Sequence, residues 1–274
     1  MASISLHGLR RVHPDGTVAL SGVDLTVGDG ELVGIIGPSG SGKSTLLRVV
    51  AGVEPITDGL VRIGGRDMTG VRPRDRNIAL VSQSRNLYTF LDVAEQLALP
   101  LELRRTRSAE ITRRVDAEGR AFGLGHIWHR RPRQLSAGDV QRTALARAMI
   151  RLPQALLADE PMQLLDPPTQ TRVRAELHRL HIASAMTVLY TTNDHNQIMG
   201  IADRVAVLND GRIVQTDPPQ QLLSRPRNRF VAGFVGEPAM TFMAATVVAD
   251  AGLGWLQVGS QRLRVPGGLP GPLR

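Results

Sequence analysis

Cysteine is absent from the 274 residues, which excludes disulfides and any cysteine-based metal site or nucleophile. That absence fits an oxidising or a reducing compartment equally. Aromatic residues are scarce (five Phe, two Trp, two Tyr), too few to suggest the stacking platforms that grip single-stranded nucleic acid. No apolar run reaches the roughly 18 residues needed to cross a bilayer. The opening Met1-Ala2-Ser3-Ile4-Ser5-Leu6-His7 has neither the basic stretch nor the apolar core of a secretion signal. Together these absences predict a soluble, cytoplasmic chain. Lysine is nearly absent too: of 33 basic residues 32 are arginines, and Lys43 stands alone.

What is present supports a folded domain. A chain of this length with 42% hydrophobic residues can bury a sizeable core. The formal charge is +8, and the stretch 101–133 concentrates nine arginines against four acids, a local balance of +5. Such a run reads either as a solvated helical face or as an anionic-partner patch, and no nucleic-acid fold signature accompanies it. No nucleic-acid partner is expected.

The lone lysine lies in Gly37-Pro38-Ser39-Gly40-Ser41-Gly42-Lys43-Ser44-Thr45, which fits G-x-x-x-x-G-K-[ST], the loop that wraps nucleotide phosphates. A compact ammonium on a flexible stem can thread into such a loop where a planar guanidinium cannot. The glycines let backbone N–H groups converge on phosphate, and a helix starting near Lys43 adds its positive end. Ser44 is placed to ligate Mg²⁺. The apolar run 32–36 predicts a buried parallel strand ahead of the loop, and Thr45–Ala51 an apolar helix face after it.

The first thirty residues alternate apolar and polar between turns and predict an antiparallel β-region. Helical spacing dominates about 91–123 and 139–151, while 155–158 and 186–190 read as further buried strands. Strands alternating with helices give an α/β fold built on a parallel sheet. The strand at 155–158 ends in Asp159-Glu160, adjacent carboxylates facing opposite sides. Beside a phosphate loop they suit separate tasks, Asp159 holding Mg²⁺ and Glu160 orienting the attacking water. After about Gly236 short β-like pieces follow one another between glycines.

With its motifs in this order, the chain resembles the ATP-binding-cassette (ABC) ATPases over residues 1–235. Leu135-Ser136-Ala137-Gly138-Asp139 is similar to the family signature Leu-Ser-Gly-Gly-Gln at a helix start. The resemblance implies a phosphate-loop cassette with an antiparallel β-subdomain and a helical subdomain at about 84–150. It further implies ATP and Mg²⁺ as ligands. Two subunits, identical or one of them a second ATPase, would pair head to tail, Ser136 and Gly138 reaching the nucleotide on the partner's loop. Gln83 matches the family's Mg²⁺-sensing glutamine, Asp166 the acid that communicates across the dimer, and His13 the position that stacks on adenine, where an exposed turn histidine is the alternative.

Departures are equally legible. Asn193 stands where the family has its switch histidine, and asparagine is shorter and carries no proton charge. His195, two residues on, is expected to aim elsewhere. Ala137, Asp139 and Gln163 replace the usual glycine, glutamine and serine. Binding of ATP is expected, with hydrolysis weakened.

The stretches 71–79, 87–96 and 230–242 are similar to importer ATPases of the maltose and glycerol-phosphate type. They imply a peripheral subunit on the cytoplasmic face of the membrane, docking permease subunits in a groove beside Gln83 walled by 101–133. The 38 residues after Gly236 (236–274 as a segment) suffice for three or four strands, short of a closed five-stranded barrel. The sequence thus predicts the ATP-binding and ATP-hydrolysing subunit of an importer for a sugar or related solute. The alternative is an ATP-binding regulatory or structural partner with little hydrolysis.

Overall fold

The computed structural model describes residues 2–82, 87–163, 165–236, 238, 240–250 and 253–264. The chain opens with β1 (Ile4–Val12) and β2 (Val18–Val27), joined by a turn in which Gly16 N–H donates to the His13 carbonyl. Next come β3 (Leu32–Ile36), the phosphate-loop sequence, α1 (Lys43–Ala51), β4 (Asp58–Ile63), β5 (Arg66–Asp67) and β6 (Ala79–Val81). The helical part holds α2 (Val93–Glu102), α3 (Ser108–Ala121) and α4 (Ala137–Met149). The chain then returns through β7 (Ala155–Asp159), α5 (Pro167–Ser184), β8 (Thr187–Thr192), β9 (Arg204–Asn209), β10 (Arg212–Asp217), α6 (Pro219–Ser224) and α7 (Arg229–Val235). Last come β11 (Thr246–Asp250), β12 (Leu253–Val258) and β13 (Gln261–Arg264).

An antiparallel sheet runs β2-β1-β4-β5, and a six-stranded sheet runs β10-β9-β3-β8-β7-β6. Within the second, β3, β6, β7, β8 and β9 are parallel, and only β10 pairs antiparallel. Every residue of β3, β7 and β8 is buried, because the sheet is covered on both faces. Period-2 alternation divides each strand between two cores. Leu32, Ile36, Leu156, Ala158, Val188 and Tyr190 join the helices, while Val33, Ile35, Ala155, Leu157 and Leu189 join α1 and the antiparallel sheet. This arrangement is why the sequence shows continuous apolar runs rather than alternation.

The far end of α1 is fixed by a buried cation. Arg76, 6% exposed, donates to the carbonyls of Val49 and Val50 in the last turn of α1 and to those of Met68 and Val71. Gly52, at φ 76°, ends the helix, and a Cβ there would run into the guanidinium. Four oriented carbonyls, two of them at a helix C-terminus, compensate the charge with no carboxylate involved.

The region expected to be helical over 91–123 is two helices. Arg105, at φ 56°, turns the chain between them, and Asp92 starts α2 with a capping box to Glu95. Among the described residues the C-terminal strands form a three-stranded antiparallel sheet, β11-β12-β13.

A candidate nucleotide site at the start of α1

Gly42 caps α1 in the left-handed region (φ 105°), with Gly40 also left-handed at 81°. Glycine is required at 42 for a second reason, since a Cβ would lie 2.5 Å from the Ala19 carbonyl oxygen of β2. Behind the loop, Gly211 N–H donates to the Ser41 carbonyl at 3.0 Å and Ser21 N–H to the Gly211 carbonyl at 2.8 Å. The loop is thus braced by β2 on one side and the β9–β10 turn on the other. Ser41 is 3% exposed, and its hydroxyl has no hydrogen-bond partner, an unsatisfied polar atom inside the loop.

Lys43 is 4% exposed and donates to the carbonyls of Gly37 and Pro38, both at 2.9 Å. Its Nζ lies 3.9 Å from Glu160 Oε1. Burial pulls the lysine below its ordinary pKa, against the raising influence of Glu160 and Asp159. Burial also pushes Glu160 up, opposed by Lys43 and aided by Asp159.

Asp159, at the end of β7, is 5% exposed. Its Oδ1 accepts from Ser44 Oγ at 3.0 Å and from Thr191 Oγ1 at 2.8 Å. Thr191 was not among the residues expected from the sequence. It reaches Asp159 because β7 and β8 are parallel with Asp159 opposite Thr191, a register no local pattern reveals. Glu160 takes a left-handed φ of 44°, uncommon away from glycine, and its N–H donates to the Thr191 carbonyl at 3.0 Å. Asn193 follows β8 directly and is half-buried. The ring of His195 lies 6.4 Å from that of Phe234 in α7 and so packs toward α7. Four expected residues, Lys43, Ser44, Asp159 and Glu160, are therefore gathered at one helix start.

Ser136 and Gly138 lie elsewhere, at the first turn of α4. Ser136 is the N-cap, and Asp139 completes a capping box with it. The Ser136 hydroxyl donates to Asp139 Oδ2 at 2.7 Å and accepts from Asp139 N–H at 3.2 Å, while Arg142 pairs with Asp139 Oδ1. Gly138 has no room for a Cβ, which would stand 2.8 Å from Thr169 Cγ2 of α5. Asp166 caps α5 by accepting from Thr169 N–H at 3.2 Å. His13 is half-buried in the β1–β2 turn, with Nδ1 4.0 Å from Glu54 Oε2. Gln83 lies outside the described residues.

A groove of about 1090 Å³ opens beside β6, reaching Ser82. Its helical wall differs from the expectation. Of the arginine-rich stretch 101–133 only Leu103 and Arg104 contribute, and the rest of that wall comes from Leu99 and Pro100 in the last turn of α2 and from Ala144, Arg147, Ala148 and Arg151 on and just after α4. On α3 the exposed Arg113 and the half-buried Arg114 both pair with Glu110 of the same helix.

A glycine loop between a buried strand and a helix, faced by a strand-end acid pair, with a serine-capped helix between them in sequence, defines an ATP-binding cassette of the phosphate-loop class. The family described as ABC transporter matches residues 20–163, and the chain belongs to it as an ATP-binding subunit. It is 45% identical to the sn-glycerol-3-phosphate import ATP-binding protein UgpC of Chromohalobacter salexigens over 91% of this chain and 67% of that one. Identity to UgpC of Cereibacter sphaeroides is 43%, over 97% and 75%. Among solved structures, the dimeric post-hydrolysis state of the cassette MJ0796 bound to ADP and Pi superposes with a TM-score of 0.72 at 29% identity. That match covers 79% of this chain and 98% of the other.

Proposed function

We propose that this chain is the ATP-hydrolysing subunit of an importer for a sugar or a related small solute, as with the glycerol phosphate of its relatives' names. It would sit at the cytoplasmic face of the membrane against permease subunits. The observation that carries the reading is the single Asp159 oxygen that accepts from both Ser44 and Thr191, since it joins the phosphate loop to the strand-end acids.

The loop N–H groups and the positive end of α1 take the nucleotide phosphates, and Lys43 exchanges its two loop carbonyls for phosphate oxygens. Ser44 and Asp159 present hard oxygen donors 3.0 Å apart, a set that suits Mg²⁺. Among the described residues no cluster of three or more His, Asp or Glu gathers, so phosphate and water would complete the ion's shell. When bound, Mg²⁺ supplies charge neutralisation at the phosphates. Thr191 holds the Asp159 carboxylate in place, and Glu160, turned by its left-handed backbone, orients the attacking water. Ser136 and Gly138 complete the site on a second subunit's loop, and the groove beside β6 takes a permease helix. Residues 1–235 act as the cassette, and 236–274 as a β-rich appendage.

Asn193 favours slow turnover, and its extreme form is the second reading, a subunit that binds ATP and scarcely cleaves it. Nucleotide titration of Lys43→Ala tests the site itself. Losing the buried cation should cost about 2–5 kcal/mol of binding, a loss of roughly thirtyfold or more. Unchanged affinity would refute the assignment.

A further inference from the structure

A serine hydroxyl has one proton to donate. At Ser136 that proton points back into its own helix, toward Asp139 Oδ2 at 2.7 Å. The Asp139 N–H at 3.2 Å occupies one of the hydroxyl's acceptor positions, so both partners of the capping box are mutually engaged. Asp139 is 8% exposed, and Arg142 holds its other oxygen. Burial pushes the carboxyl up, but the Ser136 hydroxyl and Arg142 outweigh it and keep Asp139 below the ordinary carboxylate range. It is therefore an anion near neutral pH, and an anionic carboxylate only accepts. Ser136 itself is exposed, at the surface where a second molecule can arrive.

We propose that Asp139 is a positioning residue that withholds the Ser136 hydroxyl from the nucleotide of a partnering subunit, so that pairing requires this hydroxyl to turn out of its cap. The inference rests on the head-to-tail reading above. An incoming γ-phosphate meets a serine lone pair and a neighbouring carboxylate, and both oppose an anion. Rotation of Ser136 about χ1 frees the donor but breaks a charge-assisted bond, and Arg142 and the Ser136 backbone N–H, 3.4 Å from Oδ2, are then the remaining partners of the carboxylate. A neutral amide at position 139 removes the charge and lowers the cost of that rotation. Because Gly138 is packed against Thr169, the first turn of α4 cannot simply slide away, and the adjustment falls on the Ser136 side chain.

The test uses the full chain with Glu160→Gln as a hydrolysis-blocked background and ATP-driven self-association measured by sedimentation. Adding Asp139→Gln should tighten the ATP-dependent dimer by about tenfold, the scale of one charge-assisted hydrogen bond. Asp139→Asn, which keeps a short polar cap, should give a smaller gain and guards against a folding defect. Adding Ser136→Ala should erase the gain, a coupling that a purely structural role of Asp139 does not produce. If Asp139→Gln and Asp139→Asn melt like the background chain yet dimerise no more tightly, the inference alone is overturned. A gain that persists in Ser136→Ala overturns it as well. If no variant dimerises although all bind ATP, the head-to-tail reading falls and takes this inference with it.

Discussion

Lys43 and Glu160 face each other at 3.9 Å without forming a close ion pair, and the ammonium instead donates to the carbonyls of Gly37 and Pro38. Burial moves the two in opposite directions, the lysine down and the glutamate up. Each charge is thereby made costly where it stands, and each is left to gain from an additional partner. In the proposed roles a triphosphate would satisfy the ammonium, and an attacking water the carboxylate. The site's two working charges are held near each other, neither neutralising the other outright.

Asn193→His should raise steady-state ATP turnover by tenfold or more, on the order of what one oriented polar contact contributes in a catalytic site. Nucleotide affinity should change little, because Asn193 lies at the end of β8 and outside the loop. Wild-type turnover equal to or above that of the variant removes Asn193 from the reaction.

Gly119→Ala should destabilise the helical region by about 1–3 kcal/mol, because the new methyl would overlap the Trp128 ring and force a shift in a packed core. The better helix propensity of alanine offsets at most about 1 kcal/mol of this. Urea unfolding reports the loss, and Trp128→Phe in the same chain should recover part of it. No loss in Gly119→Ala means the indole moves freely.

Glu31→Gln should cost about 1.5–3 kcal/mol at pH 7, the range for a hydrogen bond to a charged group. Glu31 accepts from Arg204 at 2.6 Å and from Gly28 N–H at 2.6 Å, tying the start of β3 to that of β9. Burial raises this carboxyl, but those bonds outweigh it and leave it below its ordinary value of 4.5. A depressed folded pKa stabilises fully above the unfolded value. The advantage over Glu31→Gln should therefore be constant near neutrality and shrink as pH falls below about 4.5. Denaturation midpoints at pH 7 and below 4 measure it, and a gap that persists in acid contradicts the account.

Much of this was legible in the sequence, for definable reasons. The runs 32–36 and 155–158 read as buried strands because a doubly covered sheet removes polar alternation from its strands. Lys43 stood out because arginine fills every other basic position, and Ser136 because Leu135–Asp139 is similar to the family signature. Thr191 was illegible, since its bond to Asp159 depends on the register of two strands separated by a whole helix. The groove wall was misplaced for a related reason: charge density along 101–133 says which segment is basic, and packing decides that α4 rather than α3 faces β6.

The Arg76 clamp has a mechanical consequence. Helix α1 is a rigid strut about 13 Å long, with the phosphate loop at one end and four carbonyls gripped around a guanidinium at the other. Arg74 and Asp75, the two residues just before Arg76, line the groove beside β6. An occupant pressing on them pushes the clamp, and the clamp can yield only by baring a buried cation or by moving the strut. Moving the strut keeps the cation covered, so a load at the groove would arrive as displacement at the phosphate loop.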